Sequence, residues 1–342
     1  MAIRIHSRSV LYFDAVRRTG SIREAARKLN VAASAISRQI IKLEAECGAP
    51  LFDRLTDSFK LTAAGEVFAS HVITVLQDTR RVEADLDALK GVRRGEITVA
   101  CVEGAAFGIL PGAMAAMRAR YPGIGMRIQV MSIGQVAQAV ATGDVDIGLT
   151  FSLSRNDSLR QVFHERIPMG VTMRPTHPLA HEKFVTVPMC LPYPFILLNG
   201  TLSLNPVITP LLNRYRDRLI IAAQADSFEL MRRLAIKLDA LTIQARMGLD
   251  DEIASGEMVH VPLHAQAPIT TEFGIYVRAG RFLSSTVDTF LVLLREEFDR
   301  QILRGNGPAL PAGKPAKPAA AKPAAGRRRR PAAKRSAGAV KA

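Results

Sequence analysis

The donors between Ser34 and Lys42 carry the chemistry most directly named by residue type and spacing. Ser34, Arg38 and Lys42 recur at i, i+4 and i+8, and Ser37 lies beside Arg38, so on a helix their hydroxyl and cationic groups share one face. That face suits phosphate oxygens and the base edges of the DNA major groove. Ile36, Ile40, Leu43 and Cys47 repeat at helical spacing on another face, which is expected to be buried. Ser34 to Glu46 therefore reads as a recognition helix.

Catalytic patterns do not emerge from the rest of the chain. There is no nucleophile elbow, Walker loop, dinucleotide fingerprint or metal-ligand cluster, so no enzyme activity, cofactor or metal is expected. His177 with His181 and His260 with His264 are spaced four apart but stand among prolines, and they read as surface residues. Cys47, Cys101 and Cys190 lie far apart without a CxxC pair. They read as small hydrophobes, with a redox pair between Cys101 and Cys190 as the alternative.

The donor face needs elements to hold it. Ser21 followed by Glu24 is a capping box that starts a helix at Ile22. Ala25, Ala26 and Leu29 give that helix a narrow face for close packing, and Asn30 is a left-handed stop. Two helices joined by a turn of about three residues form a helix-turn-helix. Val10, Phe13 and Val16, with Ala15 on the rim, predict a bracing helix from Ser9 that Gly20 ends. After the recognition helix, Phe52 anchors a β-wing whose strands flank Thr56, Asp57 and Ser58, with Arg54 and Lys60 as further phosphate or minor-groove contacts.

The run GSIREAARKLNVAASAISRQIIKLEAECGAPLFDRLTDSFKLTAAGE resembles the winged helix-turn-helix of LysR-type transcriptional regulators. The match rests on Ala25-Ala26, Ser37-Arg38-Gln39-Ile40, Leu43-Glu44, Gly48, Pro50-Leu51-Phe52, Arg54, Leu61-Thr62 and Gly65. Two departures stand out. Ala32-Ala33 replaces the polar pair that usually opens the recognition helix, leaving Ser34 to cap it. In the second half, Lys237-Leu238-Asp239 replaces a Gly-x-Gly segment beside the cleft.

Length and charge are consistent with several units. The 342 residues suffice for two or three cores, and no apolar run reaches the roughly 20 residues that span a bilayer. Met1 to Val10 lacks a signal-peptide core, so the expected location is cytoplasmic, with no membrane partner. Of the formal charge of +15, the segment from Arg304 contributes eleven Lys and Arg and no acid, leaving +4 on the preceding 303 residues. That Ala/Pro/Lys/Arg tail, 304–342, is expected to be disordered and to meet phosphates without reading sequence.

From Ala63 to Lys90, Val72, Thr79 and Leu86 alternate with Phe68, Val75, Val82 and Leu89 as a and d positions of a dimer seam. Gly91 and Gly95 mark the hinge. Strand and helix signals then alternate to Arg300, with a parallel βαβαβ half up to Phe151 and a second half from about Ile167. The predicted fold class is α/β: an N-terminal winged helix-turn-helix over 1–62, a long linker helix and hinge over 63–92, and a two-lobed, periplasmic-binding-protein-like effector domain over 93–303. Ligands of such clefts sit at strand C-termini and helix N-termini. The candidate effector residues are therefore Glu103, Gly104, Ser132, Thr150, Ser152, Asn199 and Thr201, with Lys237 as an attracting cation. Because Glu103 repels a lone carboxylate and Lys237 attracts one, a ligand of mixed polarity is expected.

The reading that unites these parts is a ligand-responsive regulator. It binds promoter or operator DNA as a homodimer or homotetramer, with double-stranded DNA, a small-molecule effector, a second copy of itself and RNA polymerase as candidate partners. The alternative is an architectural, nucleoid-type DNA-binding protein that relies on the basic tail.

Overall fold

The computed structural model describes residues 7–54, 59–89, 95–153, 155–200 and 207–305. Helix α1 spans Arg8–Thr19 and stops at Gly20, whose φ of 65° lies in the left-handed region that glycine adopts without strain. Helix α2 spans Ile22–Leu29 and ends at Asn30, also left-handed at φ 51°. Only half of the predicted capping box forms. The Ser21 hydroxyl accepts the Glu24 N–H at 3.4 Å, but the Ser21 N–H goes to the Thr19 hydroxyl, and the Glu24 carboxylate turns outward to Arg27 and Lys28.

Helix α3 spans Ala33–Cys47. Its cap is Ala32 with no side-chain hydrogen bond, so Ser34 lies inside the first turn and does not cap it as expected. Phe13 is fully buried between the rings of Phe52 and Phe68, with centroids 5.0 and 4.9 Å away, and Ile36, Ile40 and Leu43 close the same core. Two expected core residues are exposed, Leu29 and Cys47. Each is the last residue of its helix, and the chain turns after it to bury Val31 in part, and Leu51 and Phe52 fully, in its place.

Strands β1 (Phe52–Arg54) and β2 (Phe59–Leu61) pair antiparallel as the wing, while Thr56, Asp57 and Ser58 lie outside the described residues. Glu44 ties the wing to α3, its carboxylate accepting the N–H groups of Leu51 at 2.9 Å and Phe52 at 3.2 Å. Thr62 then opens helix α4, Ala63–Leu89, by accepting the Gly65 N–H and donating to the Pro50 carbonyl. Gly65 has to be glycine, since a Cβ there would fall 2.0 Å from the Leu51 carbonyl oxygen.

The remaining elements run β3 (Gly95–Cys101), α5 (Glu103–Phe107), α6 (Ile109–Arg120), β4 (Ile124–Val130), α7 (Ile133–Ala141) and β5 (Ile147–Phe151). They continue with β6 (Leu159–Met173), α8 (Val187–Cys190), β7 (Pro194–Leu198), α9 (Thr209–Asn213), β8 (Ile220–Ala225) and α10 (Phe228–Leu238). Last come β9 (Thr242–Ala245), α11 (Asp250–Ala254), β10 (Val259–Pro262), β11 (Thr270–Arg278) and α12 (Ser285–Gly305).

Strands β4, β3 and β5 pair in parallel, and β11 joins β5 antiparallel. The first lobe packs these strands against α6, α7 and α12 around Phe273, Phe290 and Phe298. The second lobe has its own cores, one around Phe195 and Val171 and another around Met231. The second half was expected from about Ile167, whereas β6 starts at Leu159 and serves both lobes as one strand. Its first part pairs with β11 and its last part with β9 and β10, which makes it one of the crossings between lobes.

Helix α4 does not leave its predicted seam free. Val72 is buried, and Phe68 partly buried, in the winged-helix core. On the next face Ile73 and Gln77 pack at Gly143 of the first lobe. Arg278 from the end of β11 donates to the Thr74 hydroxyl at 2.8 Å and to the Ser70 carbonyl at 3.0 Å. Among the described residues no helix is long and apolar enough to cross a membrane.

Candidate nucleic-acid interface and effector cleft

On α3 the structure brings the predicted donors to one side. Ser34, Arg38 and Lys42 are exposed and Ser37 is half-buried, while Ile36, Ile40 and Leu43 anchor the helix from behind. Lys42 lies 3.7 Å from Glu46, an exposed pair worth little. Arg38 has no ion-pair partner among the described residues, so its guanidinium is available. Lys60 is exposed on the wing opposite Asp53, whereas the Arg54 side chain lies outside the described residues. Sequence reasoning passed over Ile41, which is 50% exposed three residues after Arg38. An apolar side chain on the outward arc of a recognition helix suits a thymine methyl group, and its phase was the available signal.

The cleft candidates are less uniform. Glu103 is the first residue of α5 and its carboxylate crosses to the second lobe. It accepts the Ser227 hydroxyl at 2.9 Å and the N–H groups of Phe228 at 2.8 Å and Glu229 at 3.1 Å, the open end of α10. Gly104 follows, with Met247 and Phe151 at van der Waals distance from where a Cβ would stand. Thr150 is fully buried in β5 opposite Gly274, and its hydroxyl has no hydrogen-bond partner among the described residues. Ser152 takes a positive φ of 43° at the end of β5 and bonds the Thr271 hydroxyl at 2.9 Å.

Ser132 caps α7 in the open, where the Gln135 side-chain oxygen accepts both its N–H and its hydroxyl. Asn199 is exposed and donates to Asp226 at 2.7 Å, and Thr201 lies outside the described residues. Lys237 is not on the cleft wall. It stands in the last turn of α10 and lines a neighbouring groove of about 730 Å³ with Arg174, Glu252 and Glu257, which none of the other described cleft candidates lines. Glu103 meets the first residues of α10 whereas Lys237 lies in its last turn, and Asp239 ends the helix in the left-handed conformation that a Gly-x-Gly segment would adopt easily.

Between the lobes, Glu103, Gly104, Phe107, Phe151, Phe228 and Gln244 surround a cavity of about 20 Å³. That is room for about one water molecule. Arg232 closes one side: it is 5% exposed, lies 2.6 Å from Glu229 and 3.3 Å from Glu252, and stacks over the Phe107 ring. Its position was legible, since it shares the inward face of α10 with Phe228 and Ala235.

The remaining titratable candidates prove structural. Burial pushes the Cys101 and Cys190 thiols up to about 12, and they sit in the cores of different lobes, so no thiolate is present near neutral pH to form the alternative redox pair. His177 is 2% exposed, which corrects its reading as a surface residue: its Nδ1 accepts the Leu179 N–H and its ring packs edge-on against Tyr193. His260 lies where a Cβ on Gly170 would stand, its Nε2 3.2 Å from the Gln244 carbonyl, and burial lowers it to about 4. Among the described residues no group of three or more His, Cys, Asp and Glu is placed to hold a metal ion.

Comparison with known proteins agrees with this geometry. The model of the LysR substrate binding domain matches residues 90–299, and that of the bacterial regulatory helix-turn-helix protein, lysR family, matches residues 7–66. The chain is similar to the RuBisCO operon transcriptional regulator of Allochromatium vinosum, 32% identical over 180 residues that make up 53% of this chain and 59% of that relative. It is 23% identical over 290 residues to the HTH-type transcriptional regulator CbbR of Rhodospirillum rubrum, covering 85% of this chain and 96% of the relative. A full-length OxyR variant from Pseudomonas aeruginosa aligns with a TM-score of 0.63 at 16% identity, over 84% of this chain and 93% of that one. Full-length CbnR complexed with its target DNA aligns at 0.52 and 18% identity, over 85% of this chain and 99% of that one. At these identities the likeness of the two structures is one of fold.

Proposed function

The chain belongs to the LysR family of bacterial helix-turn-helix regulators, and on that premise we propose that it is a transcriptional regulator that binds promoter or operator DNA through α3 and the wing. It acts as a dimer or tetramer, in the cytoplasm where the chromosome is, and a small molecule in the cleft between its lobes modulates it. The observation that carries this reading is the division of α3 into two faces. Ile36, Ile40 and Leu43 fix the helix to its own domain, which leaves Ser34, Arg38, Ile41 and Lys42 as an outward set of donors and one methyl-bearing side chain. Glu44 locks the wing to the same helix, so Lys60 stands in a fixed relation to that set.

An architectural role is the second reading, and the acid-free run of Lys and Arg after Arg304 favours it. Footprinting of the full-length protein across genomic DNA separates the two. Discrete protected sites support the regulator, and uniform coverage supports the architectural protein.

A further inference from the structure

We propose that Glu103 is a tethered stand-in for a ligand carboxylate, a latch that clamps the two lobes across the cleft and reserves the effector site for molecules without an acid group at that end. The inference rests on the reading of the cleft as the effector site. Its first support is connectivity. Glu103 belongs to the first lobe, two residues past the end of β3, while its three donors belong to Ser227, Phe228 and Glu229 of the second lobe, so the contact joins the lobes independently of the crossing strand β6.

Donor accounting gives the second support. The first amides of α10 have no partner within the helix, and two backbone N–H groups with one hydroxyl form a site for a carboxylate or phosphate. Both Glu103 oxygens fill it, and the Ser227 hydroxyl that donates to Glu103 also accepts the Leu230 N–H, so the helix end and the latch stabilise one another.

The third support is the space that remains. Gly104 and Gly108 of the first lobe approach Met247 and Gly248 so closely that a Cβ on Gly108 would fall 2.9 Å from the Met247 side chain, and one on Gly248 would fall 2.9 Å from the Gly104 carbonyl. The cavity left is about 20 Å³, too small for an organic effector. An effector of ordinary size therefore enters only as the lobes part. A free acid would have to displace an intramolecular carboxylate of high effective concentration. A ligand presenting an amine or other hydrogen-bond donor instead meets Glu103 as its acceptor. The nearby cation Arg232 is already flanked by Glu229 and Glu252, so two carboxylates of the chain meet its charge before any ligand arrives.

The test is chemical rescue in the full-length protein, with Glu103→Ala and Glu103→Gln beside wild type. Hydrogen exchange of the Phe228 and Glu229 amides is expected to be at least about ten-fold faster in Glu103→Ala, because their acceptor is gone. Sodium acetate is the probe, with chloride at equal ionic strength as control. Acetate should slow that exchange and raise the melting temperature of Glu103→Ala while leaving wild type unmoved, and Glu103→Gln should fall between the two. Equal exchange in wild type and variant overturns the latch, as does acetate acting equally on both. Should Glu103→Ala fail to fold, Glu103→Gln carries the same comparison, with wild-type exchange rates in that variant as the overturning result. Operator binding by wild type, measured separately, tests the regulator reading independently of this outcome.

Discussion

The guanidinium of Arg18 on α1 lies 2.9 Å from the carboxylate of Asp144, which stands in the turn after α7. Asp14 holds both Arg17 and Arg18 at 2.8 Å, and Arg17 donates to the Thr142 carbonyl at 3.2 Å. The DNA-binding head and the first lobe of the same chain therefore meet at the C-terminal end of α7, whose N-terminal end carries the cleft candidate Ser132.

The pair should behave as a coupled unit. Arg18 and Asp144 are 33% and 40% exposed at their side chains, so a double-mutant cycle with alanine should return a coupling of about 0.5–1 kcal/mol in urea unfolding, falling with salt. The charge swap Arg18→Asp with Asp144→Arg should recover part of the loss from either single reversal. Strict additivity would show that the head is not docked through this pair.

On the recognition helix, Arg38→Ala should cost about 1–3 kcal/mol on the specific site and less on random duplex, if the guanidinium reads a base edge. Equal losses in a gel-shift titration on both DNAs would assign Arg38 to phosphate alone.

Self-association is expected to use the half-buried part of α4. Phe68 and Val72 face the protein's own winged-helix core, whereas Val75 and Val82 are half-buried outside it. Replacing Val75 and Val82 together with Asp should bury unpaired charge and lower the sedimentation-derived oligomer size. An unchanged oligomer would remove α4 from the interface.

His260 makes stability depend on pH. Burial, with Arg246 nearby, holds the imidazole at about 4 in the fold, against the opposing hydrogen bond to Gln244, whereas an unfolded chain has it near 6.5. Between these values the unfolded state binds the extra proton, so this contribution is fully present above about pH 6.5 and is lost as pH falls toward 4. The expected loss is about 1–3 kcal/mol. Urea midpoints of wild type and His260→Gln across that window should converge toward low pH, and parallel profiles would rule His260 out.

The tail lies outside the described residues, and its role is proposed from charge alone. Deleting residues 306–342 removes ten of the 46 Lys and Arg. If half of those ten meet phosphates, the slope of log K against log salt should fall by roughly 4 to 5 units on duplex DNA, with operator preference retained. Superimposable salt slopes for full-length and truncated protein would show that the tail does not touch DNA.

What the sequence alone determined about this protein was whatever depends on near neighbours. Gly20 and Asn30 end their helices where residue type says they must, because a left-handed φ is a property of a single residue. The inward face of α3 follows from a period of 3.6 residues, and the wing follows from a run of adjacent matched positions. Even there the helix ends needed the tertiary structure, since Leu29 and Cys47 stand in the correct phase yet lose their core places to residues beyond the turn.

The cleft was decided almost wholly by tertiary structure. Glu103 was picked out as a residue that repels acids, but its hydrogen-bond partners lie 124 to 126 residues away, and no local pattern relates a strand end to the start of a distant helix. Lys237 was placed on the wall by its position in the chain, and the last turn of α10 carries it to a neighbouring groove. His177 looked solvent-exposed beside its proline until the Tyr193 ring covered it. Periodicity reports which face of an element is buried, but not what buries it. The latter is settled by packing between elements that are remote in sequence, and the cleft is made of such contacts.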